Sequence, residues 1–440
     1  MCSVYLTNKP SSIDITDNAL MKSRGPDGMR SCNINGYTLV HTLLHLTGTR
    51  VDQPVHDQAN DIYVLFNGEI YNYLNIDRDA PSDVYSILSA YIRYGVNFAK
   101  HLDGEFSVVV FDIKRGSIVF TSDIFGTKPL FYAVDGQYIG ICTYKSILKK
   151  SGFNSIYRVA PNTTYKFNTK TYELNTTRIK TFCLRQYKNT FCDWIEAFEQ
   201  SVCKRALHSS PNKLFTGLSS GYDSGAIACC INKLDVDNLN YCLTANENVD
   251  LIRDRGEYLK AIKMLSMSKI EYTRWKMYVQ RECENHIIDT GFDDNVRNDR
   301  SSPGLAYICN LAKKTGRKIY LSGHGSDEII SDYGMNGFDV TEENQYSTYR
   351  GLFPENLQKT FPWKNFFGGV MPGFLAKEEY IAGSFGIEAR YPFLDARVVQ
   401  EFLWLSADLK SKYYKAPLHA YLQNNNFPFE LNTKRPFLPI

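Results

Sequence analysis

The chain has 440 residues, 43% hydrophobic and 22% charged, with a formal net charge of +3. That is room for two or three domains with sizeable cores, and the charge is too small to argue for nucleic acid. No stretch approaches a membrane span and the N-terminus lacks the apolar core of a signal peptide, so neither a membrane partner nor secretion is expected. The 11 cysteines are odd in number and lack CxxC pairing, which predicts reduced thiols in a cytoplasmic protein rather than a disulfide framework or a zinc site.

In chain order, about the first 150 residues read as β-rich. "IYVLFNGEIYNY" (62–73), "FSVVVFDIKRGSIVFTSD" (106–123) and "LFYAVDGQYIGICT" (130–143) are predicted strand pairs, broken by Gly, Asp and Lys/Arg turns. Between them, "SDVYSILSAYIRYG" (82–95) predicts a helix on Val84, Ile87, Leu88, Tyr91 and Ile92, capped by Ser82 and stopped by Gly95. A polar stretch near 168–190 separates this half from a helix over 191–207, where Phe191, Trp194, Ile195, Phe198 and Val202 recur at helical spacing. From 213 onward strands alternate with helices. "KLFTGLS" precedes a helix from Ser224, "LNYCLTA" a helix near 257–265, and "RKIYLSG" a helix or loop from Ser326. Such alternation predicts a parallel sheet with ligands at the carboxyl ends of its strands. The two halves are thus different folds in one chain.

The segment "LFTGLSSGYDSGAIACC" (214–230) is a strand, a serine–glycine turn and a helix start. Ser219, Ser220, Gly221 and Ser224 there present N–H groups and hydroxyls to one spot, reinforced by the helix dipole, which makes an anion site. The turn has no lysine, so it matches the usual triphosphate loop poorly. Asp223 would repel a bare phosphate and therefore implies a bridging Mg²⁺; the alternative is an ordinary capped helix start. "LSGHGSDEI" (321–329) repeats the pattern with Ser322, Gly323 and Asp327. Two such loops could grip one magnesium pyrophosphate, with Asp223 and Asp327 as metal ligands. Lys415 in "YYKAPLHAYL" is the candidate cation, its alternative being a solvated lysine at a helix start. At the other end the chain begins "MCSVYL". Loss of Met1 would leave the Cys2 thiol beside its own α-amine, whose reference pKa of about 8 suits a general base.

These segments carry a family resemblance. "LSSGYDS" resembles the SGGxDS pyrophosphate loop of ATP pyrophosphatases, and "LSGHGSDE" and "GIEARYPFLD" (386–395) are similar to LSGEGSDE and GVEARVPFLD of asparagine synthetases. "RGPDG" (24–28), "FNGEIYN" (66–72), "PSDVY" (81–85), "GEFSVVVFD" (104–112) and "SDIFGTKPLFY" (122–132) follow the order of class II glutamine amidotransferases. The resemblance implies an N-terminal αββα Ntn-hydrolase-like amidotransferase domain over 1–185 and a C-terminal parallel-sheet α/β ATP pyrophosphatase domain over 186–440. It implies that Cys2 attacks the glutamine amide, that Asn67 and the Gly68 N–H form the oxyanion hole, and that Asn67, Glu69 and Asp83 hold glutamine. It further implies that Leu218, Ser219, Ser220, Gly221, Asp223, Ser224, Leu243, Ser322, Gly323 and Lys415 bind ATP and pyrophosphate. On this reading ATP and Mg²⁺ adenylate a small carboxylate, aspartate by default, and ammonia displaces AMP. A homodimer is left open.

The departures are specific. Leu43 stands where the family has an arginine for the glutamine α-carboxylate, and Arg50 is the nearest substitute. Ser220 replaces a glycine, His324 replaces a glutamate, and "SDY" (331–333) replaces GGY. A family glutamate ahead of the second loop is matched by Asp289, with Asp293 and Asp294 as alternatives. These changes leave open a different carboxylate acceptor, or a glutaminase-impaired regulatory relative.

Overall fold

A computed structural model describes residues 1–10, 14–209, 212–288, 295–330, 353–431 and 439–440. The chain forms two compact units, Met1–Thr181 with Gly383–Gly386 and Phe182–Ala382 with Ile387–Ile440. Among the described residues no helix is long and apolar enough to cross a membrane.

The first unit is built from twelve strands: β1 (Ser3–Thr7), β2 (Gly28–Ile34), β3 (Tyr37–Leu43), β4 (Val55–Asp57), β5 (Ile62–Ile70), β6 (Gly104–Asp112), β7 (Ser117–Ser122), β8 (Phe131–Asp135), β9 (Tyr138–Cys142), β10 (Tyr157–Arg158), β11 (Thr163–Asn168) and β12 (Leu174–Arg178). They make two six-stranded antiparallel sheets, ordered β10-β8-β9-β1-β3-β2 and β12-β11-β7-β6-β5-β4. Alternation decides the layers. Leu65, Val109, Phe111, Ile118 and Phe120 on one face of the second sheet meet Val4, Leu6, Leu39 and Ile141 of the first. The residues between them in sequence, Val64, Phe66, Val108, Val110 and Val119, face outward and pack under the helix Asp83–Tyr94. The short helix Lys145–Lys150 covers the first sheet, where Leu148 reaches Gly140. The result is the expected αββα sandwich.

The helix Asp83–Tyr94 starts after Ser82 and ends at Gly95, whose φ of +55° suits glycine. It buries Val84, Ile87, Ala90 and Tyr91, each larger side chain stabilising by about 1.5–3 kcal/mol. Ile92 is instead exposed, so the apolar stripe is narrower than its spacing suggested. Strand β12 falls in the polar stretch near 168–190, which sequence alone read as a separator. As an edge strand pairing only with β11, it needs backbone hydrogen bonds more than apolar residues.

The second unit holds β13 (Lys213–Gly217), β14 (Asn238–Leu243), β15 (Ile262–Leu265), β16 (Arg317–Leu321) and β17 (Glu388–Arg390), all parallel and ordered β15-β14-β13-β16-β17. The helix expected near 257–265 lies earlier, at Val249–Tyr258, capped by Asn248, and the apolar residues after it form β15. Four residues of a partly exposed edge strand cannot be told from a helical turn by periodicity. The helices Cys192–Leu207, Tyr222–Asn232 and Ala416–Asn424 pack together through Trp194, Phe198 and Tyr421.

"GIEARYPFLD" supplies β17 and then a structural clamp. Arg390 donates to Glu388, to the Arg205 carbonyl and to Ser209, and Phe393 stacks on Phe198 with centroids 5.1 Å apart. Asp395 caps the helix Ala396–Trp404; burial opposes its charge, but Lys204 and Arg205 hold its carboxyl well below the usual range.

Candidate active sites

In the first unit, β5 is fixed where it matters by two side chains. Gln53 accepts from the Phe66 N–H at 2.7 Å, and His41 lies 3.1 Å from the Phe66 carbonyl. Burial pulls the His41 imidazole down to about 4, so it is neutral and can donate there. The next residue, Asn67, accepts the Cys2 N–H on Oδ1 at 2.9 Å. Because Cys2 N is a donor, the amide must turn its oxygen toward it, and Nδ2 points elsewhere. That Nδ2 is buried and makes no hydrogen bond among the described residues. An orphaned buried donor costs about 1–3 kcal/mol, which a fold tolerates where a ligand oxygen completes the bond.

Gly68 follows with φ +131°, and a Cβ there would lie 1.9 Å from the Glu105 carbonyl oxygen across the β5–β6 pair. Only glycine fits. Gly68→Ala is therefore expected to destabilise the N-terminal unit by about 2–4 kcal/mol, seen as a lowered urea midpoint. An unchanged midpoint would show that the strand can shift aside.

Around these residues the Leu44 N–H lies 3.4 Å from the Cys2 sulfur, and Arg24 donates to the Cys2 carbonyl at 2.7 Å. Met1 is buried, its sulfur 3.0 Å from Arg24. Glu69 accepts from the Thr47 hydroxyl at 2.8 Å, and Asp83 from the Ile70 N–H at 3.2 Å, both carboxylates being buried. Arg50 is half exposed and donates to the Asp27 carbonyl at 2.6 Å, while the Asp27 N–H donates to the Leu43 carbonyl. The arginine thus docks on the backbone beside Leu43.

In the second unit, two loops leave the carboxyl ends of the neighbouring strands β13 and β16. They touch: a Cβ on Gly323 would come within 3.0 Å of Asp223 Cβ. Ser219 and Ser224 join hydroxyls at 2.8 Å, and Ser219 also accepts the Gly221 N–H. Leu218 and Leu243 are buried at the ends of their strands. Ser322 accepts the His324 N–H at 3.1 Å.

Lys415 joins the loops. Its ammonium lies 2.6 Å from both Asp223 oxygens and 2.5 Å from Asp327, with a left-handed backbone (φ +46°) that brings the side chain in. Burial pulls the ammonium down, but the two carboxylates outweigh it and hold Lys415 well above the usual lysine range. Asp223 and Asp327, each about a quarter exposed and converging on one point, are a donor set that suits Mg²⁺ with the remaining positions left to phosphate oxygens.

Ser220 is turned differently from the expectation. Its N–H lies 2.5 Å from the Glu247 carboxylate, and its hydroxyl donates to the same oxygen. The added Cβ therefore points its polar group at the strand β14 loop. Asp289, Asp293 and Asp294 lie outside the described residues, as does 331–333.

Two family models match: the glutamine amidotransferase domain over residues 1–181 and asparagine synthase over residues 193–368. Over both halves the chain is similar to glutamine-hydrolysing asparagine synthetases. A putative asparagine synthetase of Methanocaldococcus jannaschii is 24% identical over 89% of this chain and 73% of its own. The asparagine synthetase of Zea mays is 25% identical over 85% of this chain and 64% of its own. The amidase chyE of Penicillium rubens is 33% identical over 76% of this chain, which spans 57% of that protein.

In the second unit, sequence reasoning missed the residues that brace the loops from a distance. Arg255 is fully buried and donates to the Ser219 and Gly221 carbonyls and to the Pro428 carbonyl. Burial pulls its guanidinium down to about 10, still charged at neutral pH. A buried Arg in the middle of an otherwise ordinary amphipathic helix carries no local signature. Glu247, bracing Ser220, could have been suspected because the serine and the acid follow neighbouring parallel strands.

Proposed function

We propose that the chain is a glutamine-dependent amide ligase that activates a carboxylate with ATP and amidates it with ammonia from glutamine. The observation that carries this is the Lys415 ammonium bound at once to Asp223 and Asp327 from two strand-end loops. A desolvated cation there stabilises charge as it gathers on a pyrophosphate leaving group. Ser219, Gly221, Ser224, Ser322 and Gly323 would cradle the phosphates without adding charge. Mg²⁺, when held by Asp223 and Asp327, supplies further neutralisation of the phosphates. In the first unit Cys2 is the nucleophile, and Asn67 Nδ2 with the Gly68 N–H receives the oxyanion. Glu69 and Asp83 hold the glutamine ammonium, and Arg50 reaches toward the carboxylate that Leu43 cannot bind.

Aspartate is the default acceptor. A second reading, another small carboxylate, is favoured by His324 at a position where the family carries a glutamate. The test is incubation with ATP, Mg²⁺, glutamine and aspartate, with products resolved by mass spectrometry. AMP, pyrophosphate, glutamate and asparagine in equal amounts are expected. Glutamate and AMP without asparagine would move the acceptor to another carboxylate, and absence of both would overturn the ligase.

A further inference from the structure

The serine–glycine turn after β13 already holds an anion of its own. Ser220 is 3% exposed, and its N–H lies 2.5 Å from a Glu247 oxygen that also receives its hydroxyl. The Asn248 N–H reaches the hydroxyl oxygen at 3.4 Å, which leaves the hydroxyl hydrogen for the acid. Arg255 grips the same turn at the residues on either side, donating to the Ser219 carbonyl and, at 3.1 Å, to the Gly221 carbonyl. Gly225 leaves the room this needs: a Cβ there would come within 2.8 Å of the guanidinium.

Peptide geometry decides how these contacts are arranged. The peptides of the turn are trans, so each carbonyl and the N–H of the following residue point in opposite directions. With the Ser219 and Gly221 carbonyls drawn onto Arg255, the Ser220 and Tyr222 N–H groups face away from it. Tyr222 begins the helix Tyr222–Asn232, so these are the donors that a helix N-terminus turns toward an anion. The Glu247 carboxylate therefore meets Ser220 from the direction in which a phosphate oxygen would take the same N–H. A carboxylate is the protein's own analogue of such an oxygen, since both draw charge-assisted N–H and O–H donors. Glu247 also differs from the guanidinium opposite it. It lies in the loop 244–248, between β14 and the helix Val249–Tyr258, and is only partly buried, whereas Arg255 is wholly covered. The acid can turn out to water; the arginine cannot.

We propose that Glu247 is a resident anion in the phosphate seat of this turn, holding Ser220 until a nucleotide phosphate displaces it. It thereby sets the affinity for ATP and pyrophosphate and takes no part in the chemistry. Arg255 is the positioning residue that aims the released N–H at the phosphate. This rests on the ligase reading, in which the turn holds phosphates. No covalent bond changes: one acceptor replaces another on two donors, and the displaced carboxylate passes into water.

The two residues then move binding in opposite directions, which a shared structural role would not do. Binding of magnesium ATP and of magnesium pyrophosphate is measured by titration calorimetry, with circular dichroism to verify that each variant is folded. Glu247→Gln removes the charge and keeps the shape, while Glu247→Ala removes both. Each is expected to tighten both ligands by about tenfold, because a charge-assisted bond no longer has to be displaced. In ATP–pyrophosphate exchange with a panel of small carboxylates, the KM for ATP falls by a similar factor. Arg255→Lys loses the fork that reaches two carbonyls and is expected to weaken both ligands by about tenfold. Glu247 variants that bind as the wild type does would overturn the resident anion. Weaker binding would overturn it too, because Glu247 would then build the seat rather than occupy it. Failure of both Glu247 variants to fold has the same force, since a displaceable group is dispensable to the fold. Unchanged or tighter binding in Arg255→Lys would remove Arg255 as the positioning residue. If the wild-type protein binds neither ATP nor pyrophosphate, the ligase reading fails and the resident anion with it.

Discussion

Lys415→Met is expected to abolish ATP–pyrophosphate exchange, by more than about a hundredfold, and to destabilise the second unit by about 2–4 kcal/mol. The kinetic loss follows from removing an ammonium that reaches both loops, at 2.6 Å from Asp223 and 2.5 Å from Asp327. The stability loss follows from leaving two carboxylates facing each other without the Lys415 charge between them. Their partial exposure keeps the figure below that of a fully buried broken pair. The sign with pH is fixed. Lys415 is held above its ordinary value in the fold, so its contribution is complete below the unfolded lysine range of about 10.4 and is lost only on going above the folded value. The whole deficit is therefore visible at neutral pH. In the variant the paired carboxylates repel, and protonating one relieves the repulsion, so the deficit shrinks on acidification. Added Mg²⁺ should raise the melting temperature of the variant more than that of the wild type, since a divalent cation replaces the missing charge. A variant that melts with the wild type and keeps exchange would remove Lys415 from the pyrophosphate site.

How far the sequence carries depends on how local each cause is. The helix Asp83–Tyr94 was legible because its start, stop and apolar stripe all fall within a dozen residues. So was the turn at Ser219–Ser224, whose hydroxyls bond one another. Strand β12 was not, because an edge strand is stabilised by a neighbour's backbone and carries no apolar run. Lys415 could be nominated but not placed: it meets Asp223 from 192 residues away, and only the order of β13 and β16 in the sheet brings the two loops side by side. Arg255 was invisible for the same reason, since a buried charge in a helix is written in its tertiary partners. Ser220 shows the converse. Its hydroxyl was expected at the anion site, and a carboxylate from the next strand's loop gives it another direction.

Cys2→Ala is expected to lower glutamine-dependent amide formation by more than about a thousandfold while leaving ammonium-dependent formation within about twofold of wild type. The selectivity follows from what the substitution leaves in place. The Cys2–Asn67 bond at 2.9 Å uses the backbone N–H, so alanine keeps it, and with it the orientation that turns Asn67 Nδ2 into an unpartnered donor. The lost sulfur is small and its removal costs only about 1 kcal/mol of packing. A companion change separates attack from oxyanion stabilisation: Asn67→Ala removes the donor but keeps the thiol. It should lower glutamine hydrolysis by about 10²–10³ rather than abolish it, again sparing the ammonium reaction. If both variants hydrolyse glutamine as well as the wild type, Cys2 is not the nucleophile. If both instead lose the ammonium-dependent reaction as well, the two chemistries are not separable between the units, and the two-site scheme fails.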